Sequence, residues 1–306
     1  METMKPTIFP SVPRIWESVM AGIYKNVNAG SSIKKALFNF FVTIGKIHAQ
    51  CMNLFRGLLP QFKRRIRIID IIISFFPLIL FTPLKLLGGL LVFGKIKKKL
   101  GGRFKFGISG AGALPPHVDK FFSAIGILLL EGYGLTEAAP IISVRKQHAP
   151  IIDTIGPPLP EISAKICDPE GKELSPGEKG ILFVKGPNVM KGYYKKPEET
   201  KKVLSDDGWL NTGDLAMKTI HGELKILGRV KETIVLLGGE NVEPAPIEDT
   251  ILQSDYIDQV MIVGQDQKYL GALVIPHFEN VAEYAKNNNI VYDQPEDLAA
   301  APEIKT

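Results

Sequence analysis

The chain has 306 residues, 45% hydrophobic and 23% charged, with a net formal charge of +5. These values exclude a disordered or fibrous chain and leave room for about two domains around a sizeable core. Cys51 and Cys167 stand far apart in no metal or redox spacing, which excludes a disulfide framework and points to a reducing, cytosolic compartment. The mild positive charge suits acidic ligands such as nucleotides, or an anionic membrane surface.

In chain order, the stretch Lys5 to Glu17 reads as a buried strand ending at prolines, followed by a helix with Ile15, Val19, Ile23 and Val27 among its apolar positions. Residues 1–13 contain no apolar core of signal-peptide length. A strand already underway this early raises the expectation that the whole protein starts upstream of Met1. Residues 31–65 read as an amphipathic helix ending in Lys63-Arg64-Arg65. Ile66 to Phe93 is very apolar. Its uncharged run Ile71–Leu84 is bracketed by Asp70 and Lys85 and should be broken by Pro77 and Pro83. That run is short for a bilayer span. Basic clusters at 63–65 and 95–99 are placed to meet lipid headgroups. Three readings stay open: a buried helical hairpin with solvated basic ends, peripheral membrane contact over residues 63–99, or a spanning helix.

The sheet resumes at Arg103 and ends in the small-residue loop Ser109-Gly110-Ala111-Gly112-Ala113, where backbone can approach a flat ligand. Pro115 stands where a dinucleotide fingerprint needs its third Gly. Pro115-Pro116 starts a helix through Val118, Phe121 and Phe122. The apolar run Ile125–Leu130 is then the strand around which the chain is organised, covered on both faces. It leads into a turn, Glu131-Gly132-Tyr133-Gly134-Leu135-Thr136-Glu137. Ligands of such sheets collect at the carboxyl ends of strands. Here Tyr133 offers a ring to a base, Thr136 a hydroxyl to a phosphate or carboxylate, and Glu137 an oxygen ligand to Mg²⁺. Gly132 and Gly134 would let the chain turn and a ligand come close. An ordinary glycine turn with a surface Glu reads equally well.

From about Asp153 the texture changes to short alternating runs at 163–167, 180–184 and 224–227, separated by Asp168-Pro169-Glu170-Gly171 and Ser175-Pro176-Gly177-Glu178. These predict antiparallel strands and turns. Beyond Gly228-Arg229 come a strand at 233–237, a Gly238-Gly239 turn, a helix near 246–253, strands at 259–263 and 272–276, a helix around 281–286 and a polar, acidic tail. The expected class is therefore α/β: a large domain of parallel or mixed sheet with helices (1–152), its antiparallel β subdomain (153–228), and a small α+β domain (229–306). Glu303-Ile304-Lys305-Thr306 closes no element, so that domain is expected to be incomplete.

Five short motifs stand in one order: Ser109 to Ala113; Glu131 to Glu137; Asp207-Gly208-Trp209-Leu210-Asn211-Thr212-Gly213-Asp214; Gly228-Arg229-Val230-Lys231-Glu232; and Gly238-Gly239-Glu240-Asn241-Val242-Glu243-Pro244. Together they resemble the adenylate-forming superfamily. The opening Pro6 to Glu17 and the segment Val92 to Ile96 favour its long-chain fatty acyl-CoA ligases. The resemblance implies an enzyme that uses ATP, Mg²⁺ and CoA and acts on a long-chain fatty acid. It implies that Gly110, Ala111 and Gly112 line the adenine slot, that Tyr133 stacks on adenine beside Gly134, and that Thr136 contacts the α-phosphate and acyl carboxylate region. Glu137 would bind Mg²⁺. Asp214 would accept hydrogen bonds from the ribose hydroxyls with Arg229 nearby, a carboxylate and a fixed cation being suited to a diol beside a phosphate. Asp214 could also be a turn residue, and Arg229 a surface ion pair. Lys231 falls at the family's hinge, where many relatives carry Asp. Gly238 and Gly239 would wall the CoA channel, or form a plain hairpin turn. The family's phosphate loop is expected upstream of Met1 and its distal catalytic Lys beyond Thr306, so residues 1–306 alone should perform adenylation poorly. An acyl-carrier protein as acceptor, or a non-catalytic nucleotide- or membrane-binding fragment, are the alternatives.

The five histidines fall in no ligand or triad spacing. No Gly-x-Ser-x-Gly elbow occurs. The basic runs lack interleaved base-stacking aromatics, which argues against nucleic acid.

Overall fold

Parallel strands β1 (Ile8–Ser11), β2 (Phe106–Ser109) and β3 (Leu128–Tyr133) lie side by side, and the short β4 (Ser143–Val144) joins β3 antiparallel. Helices α1 (Pro13–Asn28), α2 (Ser32–Arg56), α3 (Arg67–Gly88), α4 (Gly94–Lys99) and α5 (Pro116–Ile125) supply the crossovers. Pro13 and Pro116 sit in the first turn of their helices, where the missing N–H is not needed. This computed structural model describes residues 3–292, 294 and 297–298. Fully buried Trp16 is the hub of the core, edge-on to Phe9 at 5.9 Å and Phe122 at 5.5 Å. A Cβ on Gly107 would fall 2.3 Å from the Trp16 ring, so only glycine lets β2 pass beneath it. Val118, Phe121, Phe38, Phe41 and Leu129 close the cluster.

The central strand begins at Leu128, later than its apolar run predicts. Ile125 ends α5, and Gly126 caps that helix in the left-handed region at φ +76°. Glu131, Gly132 and Tyr133 therefore belong to the strand, and the turn comes at residues 134–137.

Pro77 and Pro83 do not break the apolar segment; both lie inside α3. Each deletes one bond from a helix whose inner side packs on α2. The Ser74 and Thr82 hydroxyls bond back to the carbonyls of Asp70 and Leu78. A π turn at Gly89–Phe93 links α3 to α4. The hairpin with α2 is tight: a Cβ on Gly88 would lie 2.7 Å from the Phe41 ring. It is buried on that side only. Among the described residues, Arg67–Lys99 is the one helix long and apolar enough to cross a membrane.

A second four-stranded sheet follows, ordered β5 (Ser163–Cys167), β6 (Gly180–Lys185), β7 (Leu210–Lys218), β8 (Leu224–Arg229), with the short helix α6 (Pro197–Val203) between β6 and β7. β5–β6 and β6–β7 are antiparallel. β7 was not foreseen, because Asn211-Thr212-Gly213-Asp214 reads as a turn. In the fold those residues form a bulge. Ile181 faces Leu215 and Phe183 faces Asn211, which leaves Thr212, Gly213 and Asp214 opposite Leu182 alone. Gly213 takes φ +73° there, and the Asn211 side chain accepts its N–H at 2.9 Å. Tyr133 and Leu135 pack against this sheet's core of Ile166, Leu182, Val184, Leu210 and Leu224.

The chain divides into two compact units, one up to Ile226 and one from Leu227. The second holds β9 (Ile234–Val235), β10 (Asn241–Val242), α7 (Pro244–Ile251), β11 (Ile257–Val263), β12 (Gly271–Pro276) and α8 (Phe278–Asn287). The architecture is α/β, a parallel and mixed sheet with helices plus antiparallel sheets. The terminal segment Glu303–Thr306 lies outside the described residues.

Candidate active site

The carboxyl ends of β2 and β3 carry the loop 110–114 and the turn 134–137. In the loop Ala111 holds φ +62°. Gly110 and Gly112 keep it close to Gly132 and Pro13, where an added Cβ would only reach ordinary contact. The loop is fixed from below by Glu131. Its Oε1 accepts the Leu114 N–H at 2.9 Å, and its Oε2 accepts Arg145 Nη2 at 2.7 Å. Arg145 also donates Nη1 to Asp119 at 2.6 Å and Nε to the Thr154 carbonyl. Arg145 is 3% exposed, and both carboxylates are buried. One cation thus joins α5, β3, β4 and the segment after it. Burial pushes the Glu131 carboxyl up to about 7, against the opposing pull of Arg145 and the Leu114 N–H. The sequence reading gave Arg145 and Asp119 no role. The available signal was a carboxylate at the end of a buried strand, which needs a buried partner.

Above this brace, Tyr133 donates its hydroxyl to Asp214 Oδ2, a residue 81 positions away. Asp214 is 7% exposed and stands in the bulge of β7, within a strand rather than in a turn. Its N–H bonds the Thr212 hydroxyl, which itself donates to the Leu182 carbonyl. The bulge aims the carboxylate at the end of β3. Thr136 is exposed at the tip of the turn, and Glu137 is half-buried beside it. Glu137 Oε1 accepts the Tyr193 hydroxyl at 2.9 Å, and this bond pushes the Tyr193 phenol up. The Glu137 carbonyl accepts the Met190 N–H at 2.7 Å. Tyr193 was missed in the sequence; its only mark is the aromatic pair after Gly192.

Gly134 has a packing role. A Cβ there would fall 1.7 Å from the Pro140 carbonyl oxygen, so the space beside it is filled by the chain itself. The structure therefore brings Gly110, Ala111, Gly112, Tyr133, Gly134, Thr136, Glu137 and Asp214 to one end of the two sheets. Arg229, Lys231, Gly238 and Gly239 belong to the second unit. Arg229 ends β8 and is exposed, and Lys231 lies in a single 3₁₀ turn. Gly238 and Gly239 form the β9–β10 hairpin turn. Gly239 takes φ +88°, and a Cβ on Gly238 would meet the Glu240 carboxylate at 2.5 Å.

No group of three or more metal-ligating side chains occurs among the described residues. Glu137 alone, with one oxygen oriented by Tyr193, fits an ion such as Mg²⁺ that takes its other ligands from phosphate and water.

A buried carboxylate, an aromatic ring and a half-buried carboxylate thus stand around a glycine loop at strand ends. Residues 1–194 match the AMP-binding enzyme family and residues 231–297 match the AMP-binding enzyme C-terminal domain. The chain belongs to the AMP-binding enzyme family. It is 38% identical over 94% of its length to the probable acyl-activating enzyme 16, chloroplastic, of Arabidopsis thaliana. It is 38% identical over 91% to a chloroplastic long-chain-fatty-acid acyl-carrier-protein ligase of the same plant, and 32% over 99% to its peroxisomal long chain acyl-CoA synthetase 7. The chain spans about 40% of the length of these relatives. Among solved structures, ATP-bound MatB from Rhodopseudomonas palustris aligns at 35% identity and TM-score 0.51, over 58% of this chain and 36% of that one. The AMP complex of MenE from Bacillus subtilis aligns at 27% and 0.53, over 61% and 40%.

Proposed function

We propose that the protein is an ATP-dependent long-chain fatty acid–CoA ligase. The observation that carries this is the Tyr133–Asp214 hydrogen bond beside Glu137 at the carboxyl ends of β2 and β3. In this reading adenine lies against Gly110, Ala111 and Gly112 with Tyr133 on its face, and Asp214 accepts from the ribose hydroxyls with Arg229 assisting. Thr136 donates to the α-phosphate region. The fatty carboxylate attacks the α-phosphorus, and pyrophosphate leaves with the bond electrons. The CoA thiolate then attacks the acyl carbonyl and releases AMP. Mg²⁺ held by Glu137 would neutralise phosphate charge; fixed dipoles and positioning supply the remainder of the acceleration. Lys231 is the hinge about which the second unit would swing, and Gly238 and Gly239 wall the path of the CoA arm. The cytoplasmic face of a membrane is the proposed location, with peripheral contact through residues 63–99. Free Cys51 and Cys167 fit a reducing compartment. The chloroplastic and peroxisomal names of the relatives make an organelle the competing location.

A second reading keeps the adenylation and replaces CoA by an acyl-carrier protein. It is favoured by the relative of that activity, which is more similar to this chain than the acyl-CoA synthetase is.

The test is palmitate-dependent ATP–pyrophosphate exchange by the protein in its longest reading frame, and by Glu137→Ala. Exchange that collapses in the variant supports both the adenylation and the metal ligand. No exchange with any fatty acid sinks the reading. Offering CoA and phosphopantetheinylated carrier protein to the same enzyme decides the acceptor.

A further inference from the structure

Helix α3 is amphipathic in the wrong sense for a water-soluble protein. Its polar side chains point inward. Asp70 is 6% exposed and paired with Arg65 at 3.0 Å; Ser74 is fully buried. Thr82 is part-buried within 3.3 Å of His48, and Lys85 lies over the Phe93 ring at 4.8 Å. The outward side is apolar along its whole length. Ile68, Ile72, Phe76, Ile79 and Leu90 are 68%, 67%, 73%, 58% and 81% exposed. Ile68, Ile72, Phe76 and Ile79 follow one another at three or four residues and so share one stripe of α3, beside Ile69, Ile73, Leu80 and Leu87; Leu90 stands exposed in the π turn just beyond it. On α2, whose Phe41 packs under Gly88, Ile33, Leu37 and Phe40 are exposed as well. So large a continuous apolar surface marks an interaction site rather than scattered surface residues.

The charges around it identify the occupant. Residues 63–99 contain nine Lys and Arg and one acidic residue, although the whole chain nets only +5. Lys63, Arg64 and Arg65 stand exposed at one end, and Lys95, Lys97, Lys98 and Lys99 at the other. A second copy laid along this stripe in either direction would bring basic end against basic end. Anionic lipid meets both ends with opposite charge. The Arg67–Lys99 helix has the length and apolarity to cross a membrane, but Asp70 and Lys85 confine its uncharged run to about 21 Å as a helix, short of the ~30 Å hydrocarbon layer. We infer that the α2–α3 hairpin is a monotopic anchor. It lies in the plane of an anionic bilayer with the Ile72–Phe76 stripe and Leu90 among the acyl chains and the two basic clusters at the phosphates. This deepens the ligase reading and rests on it only in that the bilayer would also be the reservoir of the acyl substrate.

The experiment is cosedimentation of the chain with sucrose-loaded vesicles of phosphatidylcholine, alone or mixed with phosphatidylglycerol. ATP and fatty acid are left out, so the result is independent of the ligase reading. Binding to the mixed vesicles should weaken with salt. Replacing Ile72, Phe76 and Leu90 together by Ser should weaken it about tenfold or more, since each loses a desolvated apolar group. Replacing Lys95, Lys98 and Lys99 by Gln should abolish the preference for anionic lipid. These positions are exposed, and unchanged circular dichroism confirms that the variants fold. Phe76→Trp should fluoresce bluer on binding and be quenched more by bromines near the headgroups than by bromines at the bilayer centre. Strongest quenching from the centre would overturn the in-plane orientation. No binding to either vesicle, with a dimer that Phe76→Ser splits, would give the stripe to a second copy. Binding that disappears in the longest reading frame would give it to another segment of the protein.

Discussion

Glu131 offers a stability signal whose sign differs from that of an ordinary carboxylate. Its ordinary value is 4.5, and burial raises it to about 7 in the folded chain. Between these values the native protein keeps a proton that the unfolded chain has released. The stabilisation is full below about pH 4.5 and is lost as pH rises through about 7. Some two and a half units at ~1.4 kcal/mol each give about 3 kcal/mol. Glu131→Gln fixes the side chain neutral and keeps an oxygen for the Leu114 N–H, so this slope should vanish from the variant. Urea unfolding at a series of pH values measures it. Trp16 and Trp209 both lie in the first unit, so fluorescence reports the unit that contains Glu131. Burial lowers His48 and His117, which lends both proteins the opposite slope just below pH 6.5. The difference between wild type and variant removes that contribution. Equal slopes in the two proteins would refute the reasoning and show that Arg145 keeps Glu131 ionised throughout.

Three further outcomes are expected. Tyr133→Phe removes the donor to Asp214 and should weaken ATP binding about tenfold by calorimetric titration, a loss of ~1.4 kcal/mol; unchanged affinity would detach this pair from the nucleotide. Tyr193→Phe should lower pyrophosphate exchange less than Glu137→Gln does, because it only orients the carboxylate; an effect as large as that of Glu137→Gln, measured over a range of Mg²⁺ concentrations, would make Tyr193 more than an orienting residue. Gly134→Ala should destabilise the first unit by roughly 1–3 kcal/mol or more in urea, since its Cβ has no room beside Pro140; wild-type stability would contradict the packing role.

Much of the site was written locally. The glycine loop after β2, the turn at 134–137 and the proline-started helices follow from residues within a few positions of one another, so periodicity and turn chemistry expose them. Strand β7 escaped because its stretch Asn211-Thr212-Gly213-Asp214 violates the strand pattern. Gly213 and its polar neighbours form a bulge, and a bulge has the composition of a turn.

What the sequence by itself determined is which residue types stand at the ends of which strands, and that residues 63–99 are apolar between basic clusters. Tertiary structure alone decided who meets whom. Asp214 reaches Tyr133 across 81 positions because the second sheet packs on the end of β3. Arg145 gathers Asp119 and Glu131 because a buried carboxylate is tolerable only beside a buried cation or with a proton of its own. Helix α3 carries Asp70, Ser74 and Thr82 on one stripe and apolar residues on the rest, and that pattern alone does not say which side faces the protein. Packing on α2 chose the side bearing Asp70, Ser74 and Thr82, and so left the isoleucines and phenylalanines outside.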